Sequence, residues 1–428
     1  MLSQRMLYNL EARLHFVVKG VGCVQVVSRL CPGCGQVVAN AFPRKSSLAQ
    51  VPQAVQATGQ GHTCNVLKAL HCAATASFHW QAKQNISAMY EYQAGVQTAG
   101  VTVEQLDFPT LVLGEGPYWI ESLQALMLAD VYSNILRRRF YPSGRHQVLH
   151  LDSTGDPLDV ITAAIPVEGE RDVFVGVEGK HISFLHWAPY DPDDHNTTTA
   201  IIHTTKDYAF NDAKCDPQGR LWAGTVAPLD ENVQVTEVNT SGLYRMDGKL
   251  EVTKWATASL SNGMDWSVDR KHFYYVDSHT RTIDAFDYND RSGAISNRRV
   301  ILDFNKAGLR DQFPDGMAID VDGNLWVASF GGHQVICVNP RTGRILRRVN
   351  IPAKNVSSVC WGGPDYSTLF VTSGTLGMTP EEIAASPSSG GTFAVTGLGT
   401  KGLPAAQFRV NFLQLQAQQQ VAVRRRQG

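Results

Sequence analysis

One phrase recurs six times beyond residue 100: a turn, then a short apolar run that ends in a small or acidic residue. The interval between successive copies is roughly 50 residues, which is the period of the four-stranded units of a β-propeller. The repeat therefore predicts an all-β fold, a six-bladed β-propeller. The six copies begin at or beside Leu126, Val173, Leu221, Phe273, Leu325 and Leu369.

The two ends of the repeat region predict how the ring closes. A strand at Gly390–Val395 is expected to pair with an N-terminal strand around Val101–Val103. Such pairing would remove the open sheet edges that the first and last blades would otherwise expose.

Composition restricts the partners. The chain of 428 residues is 43% hydrophobic and 18% charged, with a formal net charge of -1. This charge gives no reason to expect nucleic acid or an anionic membrane as a partner. No apolar run is long enough to predict a transmembrane helix. We expect a cytoplasmic protein.

The first 95 residues differ from the rest. Residues 1–90 contain Glu11 as their only acidic residue, and five of the eight cysteines lie among them. We predict an N-terminal extension over residues 1–95, poorly structured or targeting, and a propeller with a short C-terminal tail over 96–428. Mitochondrial location is expected if residues 1–45 act as a presequence. We also expect residues 1–95 to be dispensable for folding and metal binding.

The extension contains one cysteine motif with the spacing of zinc ligands. The run Cys31-Pro32-Gly33-Cys34 has the spacing of one half of a zinc knuckle, but no second C-x2-C follows it. The sequence therefore does not predict a complete structural zinc site here.

Four polar segments, three of which contain glycine, precede repeat phrases at equivalent places, and we interpret them as turns at the central channel. Three of them carry an oxygen ligand, at Glu115, Asn262 and Asp315, without any His or Cys. This set favours a hard cation such as Ca²⁺, Mg²⁺ or Mn²⁺. The alternative is that Asp and Asn beside Gly are ordinary turn residues. The segments are Gly114–Trp119, Phe210–Lys214, Ser261–Trp266 and Phe313–Met317.

The last of these segments gives the strongest prediction. Asp315 is followed by Gly316, which we expect to allow close approach of the backbone to whatever Asp315 binds. Farther on, Asp322-Gly323 separates two apolar runs and predicts a hairpin. Gly-x-Ser-x-Gly is absent from the sequence, which argues against a serine hydrolase.

These same phrases carry a family resemblance. From about residue 100 to 405 the chain resembles the regucalcin and gluconolactonase family. The matching phrases include those four segments and also Asp277-Ser278, residues 285–288, residues 295–299 and residues 396–399. The resemblance implies a six-bladed propeller with one divalent cation in the channel and hydrolysis of sugar lactones. The cation is expected to be Ca²⁺, with Zn²⁺, Mn²⁺ or Mg²⁺ as alternatives.

The resemblance also implies roles for single residues. Glu115, Asn262 and Asp315 are similar to the metal ligands, Asn211 to a substrate-binding residue, and Asp315 also to the catalytic acid and base. The chain departs from the family pattern at Ala209, where an Arg is usual, and at Leu229, where a Glu is usual.

These departures leave alternatives open. One is a calcium-binding regulatory propeller with little or no lactonase activity, and another is a hydrolase of a different lactone or ester. The expected partner is a small-molecule lactone, bound by a monomer.

Overall fold

The computed structural model describes residues 100–151, 160–197, 200–230 and 234–410, and three strands nearer the N-terminus. The chain divides into two compact units, Met1–Ala88 and Met89–Gly428. In the first unit, β1 (His15–Val18), β2 (Val24–Ser28) and β3 (Val37–Asn40) form an antiparallel sheet in the order β1-β2-β3.

Two predictions for this first unit are not tested by the fold. Cys31 and Cys34 lie outside the described residues. The dispensability of residues 1–95 stays a prediction, as does the location of the protein in the cell.

The second unit is a propeller of six sheets, each of four or five strands, with the innermost strand of each blade packed against that of the next. Blade 1 contains β5 (Gly114–Ile120), β6 (Ala125–Asp130), β7 (Ile135–Phe140) and β8 (His146–Leu151). Blade 2 contains β9 (Ile161–Pro166), β10 (Val173–Glu178), β11 (His181–His186) and β13 (Ala200–Thr204). The intervening β12 (Asp194–Thr197) pairs parallel with β8, as a fifth strand of blade 1.

The next three blades are regular. Blade 3 contains β14 (Phe210–Cys215), β15 (Leu221–Thr225), β16 (Ser241–Met246) and β17 (Val252–Ala258). Blade 4 contains β18 (Ser261–Trp266), β19 (His272–Asp277), β20 (Thr282–Asn289) and β21 (Ala294–Asp303). Blade 5 contains β22 (Phe313–Ile319), β23 (Leu325–Phe330), β24 (Gln334–Asn339) and β25 (Arg344–Asn350).

Blade 6 closes the ring. It contains β26 (Asn355–Gly362), β27 (Thr368–Gly374), β28 (Phe393–Thr396) and, as its outermost strand, β4 (Thr102–Gln105). In this pairing Val395 lies opposite Val103, and Phe393 opposite Gln105. The predicted closure is therefore confirmed. It ties the beginning of the propeller to its end. The expected removal of the open sheet edge was wrong, since among the described strands none pairs with the outer edge of β4.

The repeated phrase forms the second strand of every blade. These strands are almost completely buried. Their runs are continuously apolar, without alternation, because neighbouring blades cover both faces of each sheet. The six-bladed fold is confirmed.

Between the first and second strands of blades 3 and 5, a buried aspartate organises the hairpin turn. In blade 5 the carboxylate of Asp320 accepts hydrogen bonds from the backbone N–H groups of Asp322 and Asn324 and from Trp326 Nε1, the last at 2.9 Å. Gly323 has φ of +81°, which favours glycine there. The predicted hairpin at Asp322-Gly323 is confirmed.

The equivalent Asp216 of blade 3 is fully buried. It accepts from Arg220 Nε at 2.6 Å, from Trp222 Nε1 at 3.1 Å and from the hydroxyl of Tyr288 in blade 4 at 2.9 Å. This one carboxylate therefore links two blades.

Asp216→Ala is expected to lower the free energy of unfolding by about 3–5 kcal/mol, because it removes a fully buried carboxylate and leaves the largely buried guanidinium of Arg220 without its charged partner. Asp287→Ala is the control, since that carboxylate pairs with Arg299 on the exposed face of blade 4. It should cost about 1 kcal/mol or less. Urea denaturation of both variants checks the prediction, and equal losses would contradict it.

Helix contributes little to the propeller. The helix α1 (Pro380–Ala385) begins with a capping box, in which Thr379 Oγ1 accepts from Glu382 N and Glu382 Oε2 accepts from Thr379 N. Short 3-10 turns occur at Glu121–Leu123, Val131–Ser133 and Ser278–Thr280. In the part of the chain that the structure describes, no helix is long and apolar enough to cross a membrane.

Candidate functional site

A β-bulge occurs in the innermost strand of every blade. In each case the innermost strand has one more residue than the stretch of the second strand that it faces. A bulge leaves a residue without its ladder bonds and redirects its side chain. The residues at the bulges are Gly116-Pro117, Thr162, Asn211-Asp212, Asn262-Gly263, Asp315-Gly316 and Ser357.

The interpretation of the four polar segments as turns was wrong. All four lie within innermost strands, β5, β14, β18 and β22. A bulge has the Gly, Asn and Asp composition of a turn, because both interrupt regular pairing, and local sequence does not distinguish them.

The glycines of the bulges allow neighbouring blades to approach. A Cβ on Gly263 would lie 2.5 Å from the carbonyl oxygen of Asp315, and one on Gly116 would lie 2.6 Å from that of Thr162. A Cβ on Gly316 would collide with Ser358 of blade 6. The neighbouring blade therefore explains why glycine is needed at position 316.

Hydrogen bonds orient the candidate amide ligand. Asn262 Nδ2 donates to Ser278 Oγ at 3.0 Å, and that hydroxyl donates to the carbonyl oxygen of Pro314 at 2.6 Å. With its amide nitrogen engaged, Asn262 presents Oδ1 as a free acceptor. Within the described residues, Asn262 Oδ1 and Asp315 Oδ1 are buried oxygens with no hydrogen-bond partner.

The predicted substrate-binding residue is held separately. Asn211 Nδ2 donates to the carbonyl oxygen of Ser261, the residue before Asn262, at 2.8 Å. This bond ties the bulge of blade 3 to that of blade 4.

Three carboxyls form the electrostatic centre of the site. Burial, with smaller contributions from the charges of Asp315 and Asp212, holds the pKa of Glu115 well above its usual range. Burial and then the charge of Asp212 raise the pKa of Asp315 in the same direction. Burial raises the pKa of Asp212 to about 6, opposed by the positive charge of Lys214. These carboxyls therefore lie close enough to repel one another when ionised.

The raised pKa values predict a pH effect on the cation-free protein. Because the folded state keeps protons that the unfolded carboxyls lose above about pH 4, these groups contribute stability at low pH. That stability is lost as the pH rises through the pKa values of the folded state. For Asp212 the folded-state pKa is about 6. With chelator present, Glu115→Gln should therefore gain Tm relative to the wild-type protein between pH 4 and pH 8. A difference in Tm that does not change with pH would contradict this.

The donor set fits a hard cation. Glu115, Asn262 and Asp315 offer only oxygen atoms, the ligands of Ca²⁺, Mg²⁺ and Mn²⁺. Two of the three have a buried oxygen that the surrounding protein leaves without a partner. The described residues contain no group of three or more His, Cys, Asp or Glu side chains able to hold a metal, so the Asn amide is needed to complete this set.

A cavity of about 440 Å³ adjoins the site. It begins at Gly116 and Asp212, at the level of the bulges, and extends toward the C-terminal ends of the innermost strands. The C-terminal segment Leu403–Ala406 lines its far end, where Tyr118 donates its hydroxyl to the carbonyl oxygen of Ala405 at 3.1 Å. The channel therefore contains a chamber between the bulges and the C-terminal ends of the innermost strands.

The two residues that depart from the family pattern, Ala209 and Leu229, are not among those that line this chamber. Ala209 directly precedes β14, and its carbonyl oxygen accepts from Val226 N at 2.9 Å. Leu229 is partly exposed and forms an isolated bridge with Val235. Both residues therefore adjoin the opposite ends of the strands from the chamber.

The sequence interpretation gave no role to Asp212 or Lys214. Asp212 could have been found beside Asn211, where a second polar side chain follows in the same bulge. No sequence pattern predicts the partner of Lys214, which comes from another blade.

The fold and the site together define a class of protein, the six-bladed β-propellers with a carboxylate and amide cluster at the bulges of their innermost strands. The chain belongs to the SMP-30/gluconolactonase/LRE-like family, whose model matches residues 113–375. This confirms the resemblance noted in the sequence.

Individual relatives agree. Regucalcin of Gallus gallus is 36% identical over 314 residues, which cover 72% of this chain and 99% of the relative. Regucalcin of Sus scrofa is 37% identical, covering 68% of this chain and 93% of the relative. Among solved structures, a luciferin-regenerating enzyme superposes with a TM-score of 0.66 at 30% identity, covering 73% of this chain and all of the other.

Proposed function

We propose that this protein is a divalent-cation-dependent hydrolase of sugar lactones that uses Ca²⁺. The observation that carries the proposal is the pair of buried, unpartnered oxygens on Asn262 and Asp315, beside the buried carboxyl of Glu115. Buried polar atoms normally have partners, so unpartnered oxygens on adjacent strands favour a bound cation. Membership of a family whose name includes gluconolactonase supports the choice of substrate class.

Each residue has a separate role in the proposal. Glu115, Asn262 and Asp315 would hold the cation, and Asn211 contacts the lactone. A cation held there would polarise the lactone carbonyl and so make its carbon more electrophilic.

Asp315 performs the proton transfers. Its carboxylate accepts a proton from the attacking water as the water oxygen bonds to the carbonyl carbon. The bond from that carbon to the ring oxygen then breaks, and Asp315 returns the proton to this oxygen. The product is the open-chain hydroxy acid, released as its carboxylate with one proton lost to solvent.

The part of the site that would bind the sugar hydroxyls is where this chain departs from the family pattern. With Ala209 and Leu229 in place of Arg and Glu, two polar contacts that the family uses are missing. A guanidinium contributes charge-assisted hydrogen bonds worth about 1.5–3 kcal/mol each. We therefore propose weak turnover of gluconolactone, or preference for a less hydroxylated lactone.

Ala209→Arg is expected to lower KM for gluconolactone by about tenfold or more, since 1.4 kcal/mol corresponds to a factor of ten. Steady-state kinetics of the wild type and the variant measure it. Val300→Arg is the control, because it adds the same charge at an exposed position on the outermost strand of blade 4. An unchanged KM in Ala209→Arg would show that this position does not limit substrate binding.

The proposed function is tested by offering a panel of aldonolactones and simpler lactones to the full chain with Ca²⁺, Mg²⁺, Mn²⁺ or Zn²⁺ supplied separately. Cation-dependent hydrolysis supports the proposal and identifies the metal. Cation binding without turnover of any lactone or ester would instead indicate a calcium-binding regulatory propeller. Hydrolysis of only a non-sugar lactone or ester would assign the enzyme another substrate.

A further inference from the structure

An ion pair joins blades 3 and 4 on the chamber side of the candidate ligands. Lys214 follows Asn211 by three residues on β14, and Asp265 follows Asn262 by three residues on β18. Lys214 Nζ lies 2.6 Å from Asp265 Oδ2, and both side chains line the chamber. The pair is mostly withdrawn from solvent, with 25% of the Lys214 side chain and 13% of the Asp265 side chain exposed.

The pair also reaches a third blade. Lys214 Nζ donates to the carbonyl oxygen of Met317 at 3.1 Å, and Ile319 N donates to Asp265 Oδ2 at 3.0 Å. Met317 and Ile319 follow Asp315 on β22. Two side chains therefore connect the innermost strands of blades 3, 4 and 5 just beyond Asn211, Asn262 and Asp315.

These connections matter because of how a propeller is built. Backbone ladders run within each blade, and among the described strands none joins β14, β18 and β22 to one another. The spacing between these strands consequently depends on side-chain bonds and packing. A site assembled from several blades requires that spacing to be held to within about 0.5 Å.

We infer that Lys214 and Asp265 are positioning residues, which set the distance of Asp315 from Asn211 and Asn262. The inference rests on the proposed function, since it assigns the pair to the same cation and lactone site. The pair acts by holding three strands in register, without contact to the substrate.

The test compares Lys214→Met with the wild-type full chain. Calorimetric titration with Ca²⁺ should show a Kd about tenfold higher or more, because small displacements of several ligands add. At saturating Ca²⁺, kcat for the best lactone of the panel should fall by about tenfold, while KM stays within twofold. This split is expected because Asp315 is displaced, whereas Asn211, the residue proposed to contact the lactone, keeps its own hydrogen bond to the carbonyl oxygen of Ser261.

Arg298→Met is the matched control. Arg298 and Asp284 form a pair of the same length, 2.6 Å, in the outer strands of blade 4. Loss of that pair removes a cross-strand bond without affecting the channel, so Kd and kcat should remain within twofold of the wild-type values.

A second variant separates a lost connection from an unpaired charge. Lys214→Met/Asp265→Leu also removes the Asp265 carboxylate that the single variant leaves unpaired, and it should fold even if the single variant does not. We expect its Ca²⁺ affinity to stay about tenfold weaker than that of the wild type, because the connection is still absent. Wild-type affinity in this double variant would overturn the inference.

Different results would overturn the positioning role and the proposed function. A wild-type chain that binds Ca²⁺, with a Lys214→Met variant within twofold of it in both Kd and kcat, overturns only the positioning role. A wild-type chain that binds no divalent cation overturns the proposed function and this inference together.

Discussion

Replacing Asp315 with Asn is expected to lower kcat for lactone hydrolysis by about 10³-fold, within the range typical of general acid–base catalysis. The amide keeps one neutral oxygen toward the cation but cannot take a proton from water. Cation affinity should therefore fall by much less than the rate. Steady-state kinetics at saturating Ca²⁺, together with calorimetric titration, measure the two effects independently.

Two further variants test the same prediction, one at the site and one as a control. Asp315→Ala removes both the base and the ligand, and should weaken Ca²⁺ binding and abolish measurable turnover. Asp287→Asn makes the same chemical change at a half-exposed carboxylate of blade 4, and should leave both quantities unchanged. Full activity in Asp315→Asn would exclude Asp315 as the base while leaving its role as a ligand open.

Removal of the divalent cation is expected to abolish lactone hydrolysis and to destabilise the propeller. The buried carboxyls of Glu115 and Asp315 then lack a compensating charge, and burial together with the neighbouring carboxylates raises the pKa of each. A ligand present at 100 times its Kd stabilises the folded state by about 2.7 kcal/mol. For a domain of this size that corresponds to a rise in Tm of roughly 5 °C.

The measurement is a thermal melt and an activity assay at pH 7.5 after dialysis against chelator, repeated after Ca²⁺ is restored. Glu115→Gln is the control, since it weakens the site and should show a smaller shift in Tm on Ca²⁺ addition. Full activity after exhaustive chelation would contradict the proposed dependence on a cation. An equal Tm shift in Glu115→Gln would place the bound cation elsewhere.

Much of the architecture was predictable from local patterns. The sixfold phrase identified the second strand of every blade, because strands packed between two blades must be apolar on both faces. The closing pair near Val395 was also predictable, since a strand from the start of the repeat region that completes the last blade closes the ring.

The candidate site was predictable only in part. Glu115, Asn262 and Asp315 were singled out by equivalent positions in different blades, and the structure places each at or directly before a bulge of an innermost strand. Their roles as ligands stay predictions. The segments themselves were taken for turns, because bulges and turns share the same residues.

The sequence alone determined the number of blades, the pairing that closes them and the residue types available to a cation. Those features follow from periodicity and composition, which act over a few residues at a time. Only the tertiary structure decided that Lys214 meets Asp265, that Gly316 is required by Ser358, and that Asn262 presents its oxygen because Ser278 engages its nitrogen. The first two contacts join residues of different blades, and their distances are decided by how the blades pack around the channel. The third joins residues of blade 4 that lie 16 positions apart, and pairing of the strands within the blade brings them together.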